Sequence, residues 1–316
     1  MDRILLQTIN RSLERTKTTG IAPIVADALQ SRLAEELDWL DACKGREDLV
    51  ILLRDLAGGM RKAGIVVSPG YSFLPDAFLL YLTGVTRVNP VEWNLPFSRF
   101  TQSVRNDATI PFEAGSGCLE VARKVLGLRE NEIVVEPEPG VFQITFLDGT
   151  LLQKVRLRII AYAGLDRFGD TVKNGWHPLD EAMLKLFRRA ATDGTLWFES
   201  DQMREWLFEF DPESMSDLVL LNALFWPGRA DAFERMLEAK KHPESRPVYE
   251  KASVNRALLD SYGIPVYQEQ ALLLQGIPGA PELPAFEDLA PKGHFIGRTM
   301  MSVEALWPFR HKSKLK

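Results

Sequence analysis

The chain has 316 residues, 46% hydrophobic and 26% charged, with a formal net charge of −5. This length is enough for one large or two medium cores, and the composition is that of an ordinary soluble protein. The acidic balance excludes bulk attraction to nucleic acid, so any such contact needs a local basic patch. The first residues are charged and form no long apolar run, so they read as no signal peptide, and no stretch reaches the ~18 apolar residues of a membrane span. Cys43 and Cys118 lack metal or disulfide spacing and read as buried thiols in a reducing compartment. A cytoplasmic location is expected.

Apolar residues at Ile4, Leu5, Ile9 and Leu13 predict a first helix, with the basic stretch Arg11–Lys17 as a solvated face. Leu33, Leu37 and Leu40 predict a second. Leu49, Leu52, Leu53, Leu56 and Met60 predict a third, with the spacing of a core-facing helix. Ile65-Val66-Val67 reads as a short strand ended by Ser68-Pro69-Gly70. Pro75 suits the first turn of a helix, Ala77–Leu82 reads as a buried helix, and Gly84 as its stop. Asn89-Pro90-Val91-Glu92 predicts another short helix, halted by Pro96, with Phe97 and Phe100 as anchors.

Gly64–Phe100 resembles, without a gap, the palm segment of bacterial DNA polymerase III alpha subunits, the C-family DNA polymerases. Pro69-Gly70, Tyr81, Thr86, Pro90, Glu92, Leu95, Phe97, Arg99 and Phe100 keep that family's frame. The resemblance implies a palm fold and template-directed DNA synthesis with two Mg²⁺ ions. The chemistry-bearing positions depart from it. After Pro-Gly the family has Arg and then small residues whose backbone amides approach phosphates. This chain has Tyr71-Ser72-Phe73-Leu74-Pro75-Asp76: two aromatics, a proline without a donor, and an acid where a triphosphate would sit. The family's three alternating aspartates, carried along without a gap, fall on Ile110, Phe112 and Ala114. Two-metal phosphoryl transfer needs paired carboxylates. Glu113 stands alone, and Asp107 and Glu113 straddle Pro111 as a poor pair.

Ser116–Gly127 predicts a helix, and Ile133–Val135, Val141–Leu147 and Leu151–Tyr162 predict strands, with Asp148-Gly149 as a hairpin turn. On the last strand Val155, Leu157 and Ile159 alternate with Lys154, Arg156 and Arg158, so one side should be buried and the other cationic. The resemblance implies that Arg158 takes the place of the family's last catalytic aspartate. Residues 166–175 read as a polar connector. From His177 the resemblance returns as the fingers domain, through Leu196–Ser200, Asp217–Gly228 and the long motif Ser261–Gln270 (S-Y-G-I-P-V-Y-Q-E-Q against the family's T-Y-G-x-x-x-Y-Q-E-Q). Trp226 replaces a family arginine before Pro-Gly.

The expected fold is α+β: a palm-like mixed sheet with flanking helices over 1–174, a mostly helical fingers-like domain over 175–275, and a Pro-rich, then basic, tail over 276–316. No catalytic residue, metal or cofactor is assigned. The four histidines have no ligand spacing, and Trp197, Trp206, Trp226 and Trp307 read as packing anchors. The function implied is that of a DNA polymerase III alpha-like protein without catalytic carboxylates, serving as a binding or assembly module in DNA replication or repair. One alternative is a non-catalytic nucleic-acid binder using Arg156, Arg158, Arg235, Lys240, Lys241, Arg310, Lys312 and Lys314. Another is a residual DNA polymerase rebuilt on Asp76, Asp107 or Glu113. The expected partners are replication or repair proteins, and DNA through a local basic patch; a membrane is not among them.

Overall fold

The computed structural model describes residues 3–18, 23–105, 107–127, 132–138, 140–146, 154–168, 179–225 and 230–313, with side chains except at 15, 17–18, 23–26, 132–138, 146, 230 and 308–313. The chain divides into two compact units, Met1–Gly169 and Asp170–Lys316. The class is α+β, as expected.

The first unit opens with helices α1 (Arg3–Thr18), α2 (Pro23–Asp41) and α3 (Lys44–Lys62). The stripe Leu49, Leu52, Leu53, Leu56 and Met60 turns α3 inward, each residue fully buried. Leu5, Ile9 and Leu13 do the same for α1, whereas Ile4, expected on that face, is 64% exposed. Two short helices follow, α4 (Phe78–Leu82) and α5 (Phe97–Ser103). Gly84 ends α4 at φ +75°, a conformation open to glycine at no steric cost. The helix expected at Asn89 is a run of turns instead. The Asn89 side chain accepts from the Val91 amide at 3.1 Å, the local bond by which asparagine competes with helix formation. Phe97 and Phe100 meet Trp39 edge-on at 5.7 and 5.4 Å and so anchor α5 to α2.

The sheet comes next: β1 (Thr109–Ala114), helix α6 (Cys118–Gly127), then β2 (Glu132–Glu138), β3 (Val141–Phe146) and β4 (Lys154–Ala161). Its order is β1-β4-β3-β2, with β1 and β4 parallel and the other pairs antiparallel. The Ile65–Val67 strand is reduced to one bridge, Val67 to Ala114, on the outer side of β1. The hairpin turn expected at Asp148-Gly149 lies outside the described residues. One face of the sheet, with Ile110, Phe112, Phe142, Ile144, Val155, Leu157 and Ile159, joins a single buried core with α3 and α6, and β4 packs on α6.

The second unit is helical: α7 (Glu181–Arg188), α8 (Asp201–Phe210), α9 (Met215–Leu224), α10 (Ala230–Lys241), α11 (Ala252–Ala257), α12 (Gln268–Leu274) and α13 (Lys292–Ser313). Side-chain caps from Asp180, Ser200 and Ser214 start α7, α8 and α9. Leu218–Leu224 of α9 are buried all round, the pattern of a central helix. The expected tail is corrected here. Residues 292–306 are a core helix: Phe295, Ile296, Met300, Met301, Val303 and Leu306 are buried, and α13 packs on α9 and α7.

Candidate nucleic-acid interface

The site follows from the two-residue period of β4. Val155, Leu157 and Ile159 are buried, while Lys154, Arg156 and Arg158 are exposed on the other face. The alternation expected from the sequence is present, residue for residue. Successive cations on that face are about 7 Å apart along the strand. Register brings Thr109 beside Arg156 and Pro111 beside Arg158 on one flank, with Thr145, Gln143 and Val141 beside Lys154, Arg156 and Arg158 on the other. Arg156 is held in place: its Nε donates to the Thr109 hydroxyl at 3.2 Å and its Nη2 to the Asp107 carbonyl at 3.1 Å.

The same register corrects one expectation. Ile110, Phe112 and Ala114 pair with Leu157, Ile159 and Ala161. Arg158 stands opposite Pro111 and so projects to the other face. The positions to which the resemblance carries the aspartates therefore do not share a site, because a one-residue offset on a strand reverses the face. On β1 and β4 the sole carboxylate is Glu113, on the face of Pro111 and Arg158. Ile110, Phe112 and Ala114 are core residues, and the open face carries cations.

The Tyr71 loop is equally committed. Phe73, Leu74, Pro75 and Asp76 are buried. Asp76 is no free charge facing a phosphate: Arg99 Nη1 donates to its Oδ2 at 2.7 Å and to the Ser72 carbonyl at 3.1 Å. The space bounded by Val67, Ser68, Tyr71, Phe112 and Glu113 is only about 10 Å³, room for one water at most. Beneath it lies a network the sequence did not single out. Arg32 Nε donates to Glu36 at 2.6 Å, its Nη1 to the Leu95 carbonyl at 2.9 Å, and its Nη2 to the Asp76 carbonyl. Glu36 also accepts from the amides of Phe78 and Leu79, both at 2.8 Å. Burial pushes the Glu36 carboxyl above the usual carboxylate range, and Arg32 and the two amides pull it back. The only visible signal was an i, i+4 Arg–Glu pair, a pattern that usually marks a surface.

Asp76, Asp107 and Glu113 are not brought together. Asp76 belongs to Arg99, and Asp107 lies in the turn before β1 whereas Glu113 stands near its far end, with roughly 13 Å of strand from Thr109 to Glu113. Among the described residues no three His, Cys, Asp or Glu side chains converge as metal ligands. In the second unit Arg235 and Lys241 are exposed on α10, on different sides of the helix. Lys240 is spent internally: it donates to the Asp211 carbonyl at 2.6 Å and to Asp217 at 3.3 Å, and lies 4.5 Å over the Phe210 ring. Arg310 and Lys312 fall on α13, with side chains outside the described set; Lys314 and Trp226 lie outside the described residues.

Residues 4–109 match the family described as bacterial DNA polymerase III alpha NTPase domain, and residues 172–279 the bacterial DNA polymerase III alpha subunit finger domain. The DNA polymerase III subunit alpha of Xylella fastidiosa (strain 9a5c) is 34% identical over 104 residues, covering 32% of this chain and 9% of that protein. The chain is DNA polymerase III alpha-like.

Other subunits of the same name agree. That of Aquifex aeolicus is 28% identical over 149 residues (46% of this chain, 13% of that one), and that of Bacillus subtilis 30% over 95 residues (30% and 8%). The matches thus span about a tenth of the length of these alpha subunits. The two family-matched segments leave out residues 110–171, which contain α6 and nearly all of the sheet. The alpha-like fingers motif proves structural here. Gln270 accepts from the Val266 and Tyr267 amides at 2.9 and 3.0 Å and donates to Ser261 at 2.6 Å. Glu269 accepts from the Lys292 and Gly293 amides at 2.8 and 3.1 Å, fastening the start of α13. Among the described residues no helix is long and apolar enough to cross a membrane.

Proposed function

We propose that the chain is a non-catalytic binding and assembly module of DNA replication or repair, built on a polymerase III alpha-like scaffold and working in the cytoplasm. One observation carries this reading: on β1 and β4, buried apolar residues occupy one face and Lys154, Arg156 and Arg158 the other. Phosphoryl transfer depends almost wholly on positioning and on metal charge, and a cationic strand repels the ions it would need. The partners are other replication or repair proteins. Primer extension with Mg²⁺ or Mn²⁺ tests the proposal, with extension expected to stay at the level of boiled protein. Incorporation above that level overturns it.

The open cationic face favours a second reading within the first, contact with a nucleic-acid backbone. Three exposed cations in a row on β4, with Thr109, Gln143 and Thr145 as neutral donors beside them, match a phosphate track. No aromatic ring stands among these residues for base stacking, so the contact is sequence-neutral. Exposed Arg235 and Lys241 are further candidates on the second unit. Binding to labelled primer-template should fall steeply with salt, and Arg156→Ala with Arg158→Ala should reduce the log–log slope by about one per residue. An unchanged slope removes the sheet face from the interface.

A further inference from the structure

On the helical side of the first unit, a groove of about 740 Å³ runs between α3 and α6. Arg54, Lys62 and Lys124 line it, against the single acid Asp55. Asp55 is already taken by Arg54, whose Nη2 lies 2.8 Å from its carboxylate. A local cationic site therefore stands on a chain whose net charge is −5. Arg54 Nη1 is buried without a hydrogen-bond acceptor among the described residues, and leaving such a donor unmatched is costly.

The two glycines of the groove separate its structural from its unexplained features. Gly59 is needed for packing, since a Cβ there would sit 2.9 Å from Val125 Cγ2 of α6. Gly58 is not: a Cβ there would meet no atom within 4 Å, and its backbone is helical. Glycine inside a helix is markedly worse than alanine, yet nothing among the described residues uses the space it leaves. The vacancy opens into the groove.

We propose that this groove docks an acidic, aliphatic helix of a partner protein. Ala63, Val121 and Val125 offer an aliphatic floor, and Gly58 lets a second backbone approach closely. Lys62 and Lys124, exposed beside the Arg54–Asp55 pair, meet carboxylates flanking the apolar stripe, the helix-in-groove mode of recognition. The lining holds no aromatic ring, so a nucleobase finds no platform here. This inference rests on the binding-module reading and names the chemistry of its partner, on a surface other than the open sheet face.

The test uses the full chain and a fluorescent helical peptide with leucines at i, i+4 and i+7 and glutamates on both flanks, alongside its glutamine counterpart. Anisotropy should show saturable binding of the acidic peptide only. Gly58→Leu, which fills the vacancy with a good helix former, should weaken it by about tenfold. Lys62→Glu with Lys124→Glu, both exposed and free of packing duty, should weaken it as much, with circular dichroism checking the fold of each variant. Arg156→Glu with Arg158→Glu should leave it unchanged. Equal binding of the glutamine peptide, displacement by ATP, indifference to the groove variants, or no saturable binding overturns the assignment. The outcomes are separable: failure of the peptide with primer extension still absent removes this groove alone, while polymerase activity overturns the module reading.

Discussion

Fully buried Glu36 and half-buried Tyr262 show how the first and second units respond to single changes. Glu36 is fully buried and holds Arg32 and the start of α4 together. Glu36→Ala leaves the largely buried Arg32 without its counter-charge, and its Nε and two amides without an acceptor, so we expect a loss of about 3–5 kcal/mol in urea unfolding. In the second unit the Tyr262 hydroxyl donates to Asp217 Oδ1 at 2.8 Å. Burial, and then the adjacent Asp217 charge, raise the Tyr262 pKa well above its ordinary value. The unfolded chain thus gives up this proton first, near pH 10. The stability Tyr262 contributes is complete below that pH and is lost progressively as pH rises toward the folded value. Tyr262→Phe should cost about 1.5–3 kcal/mol at neutral pH, the worth of a hydrogen bond to a charged group. It should also flatten the decline in stability above pH 10, measured by denaturant unfolding at stepped pH. A variant with the wild-type alkaline slope would show that the phenol carries none of that dependence.

At the scale of elements, α3 offers a paired experiment within two adjacent residues. Gly58→Ala gains helix propensity without touching anything, so it should stabilise by about 0.5–1 kcal/mol. Gly59→Ala gains the same propensity but drives a Cβ against Val125, and overpacking of that kind typically costs about 1–3 kcal/mol. Thermal melts of the two variants should therefore move in opposite directions. The sequence made α3 and β4 legible because each has a sharp periodicity: 3.6 for the leucine stripe, 2 for the Val–Arg alternation. It hid the role of Arg158 relative to Ile110, Phe112 and Ala114, since register between distant strands is written in no local pattern. It also hid α13. A helix buried on most sides shows no amphipathic stripe, and its approach through prolines and its basic end resemble a solvated tail. The Asn89 turns were missed because capping and Asx-turn signals use the same residues.

At the scale of the whole molecule, the family match and the folding unit end in different places. The finger-domain match stops at residue 279, whereas the second unit is completed by α13, held at its start by Glu269 and packed along α9. Phe295, Ile296, Met300, Met301, Val303 and Leu306 bury six apolar side chains there. At about 1.5–3 kcal/mol each their burial contributes on the order of 10 kcal/mol, as much as the net stability of a typical domain. A chain ending at Gly279 should therefore lose the cooperative fold of its second unit even though it keeps the whole family-matched segment. Hydrogen exchange reads this directly: the amides of α9 should exchange without protection, while those of α3 remain slow. If α9 stays protected in the shortened chain, the family-matched helices suffice without α13, and Glu269 loses the role given to it here. If protection is lost, the Gln–Glu–Gln motif serves in this chain as the clasp between an alpha-like helical set and a helix outside the family-matched segment.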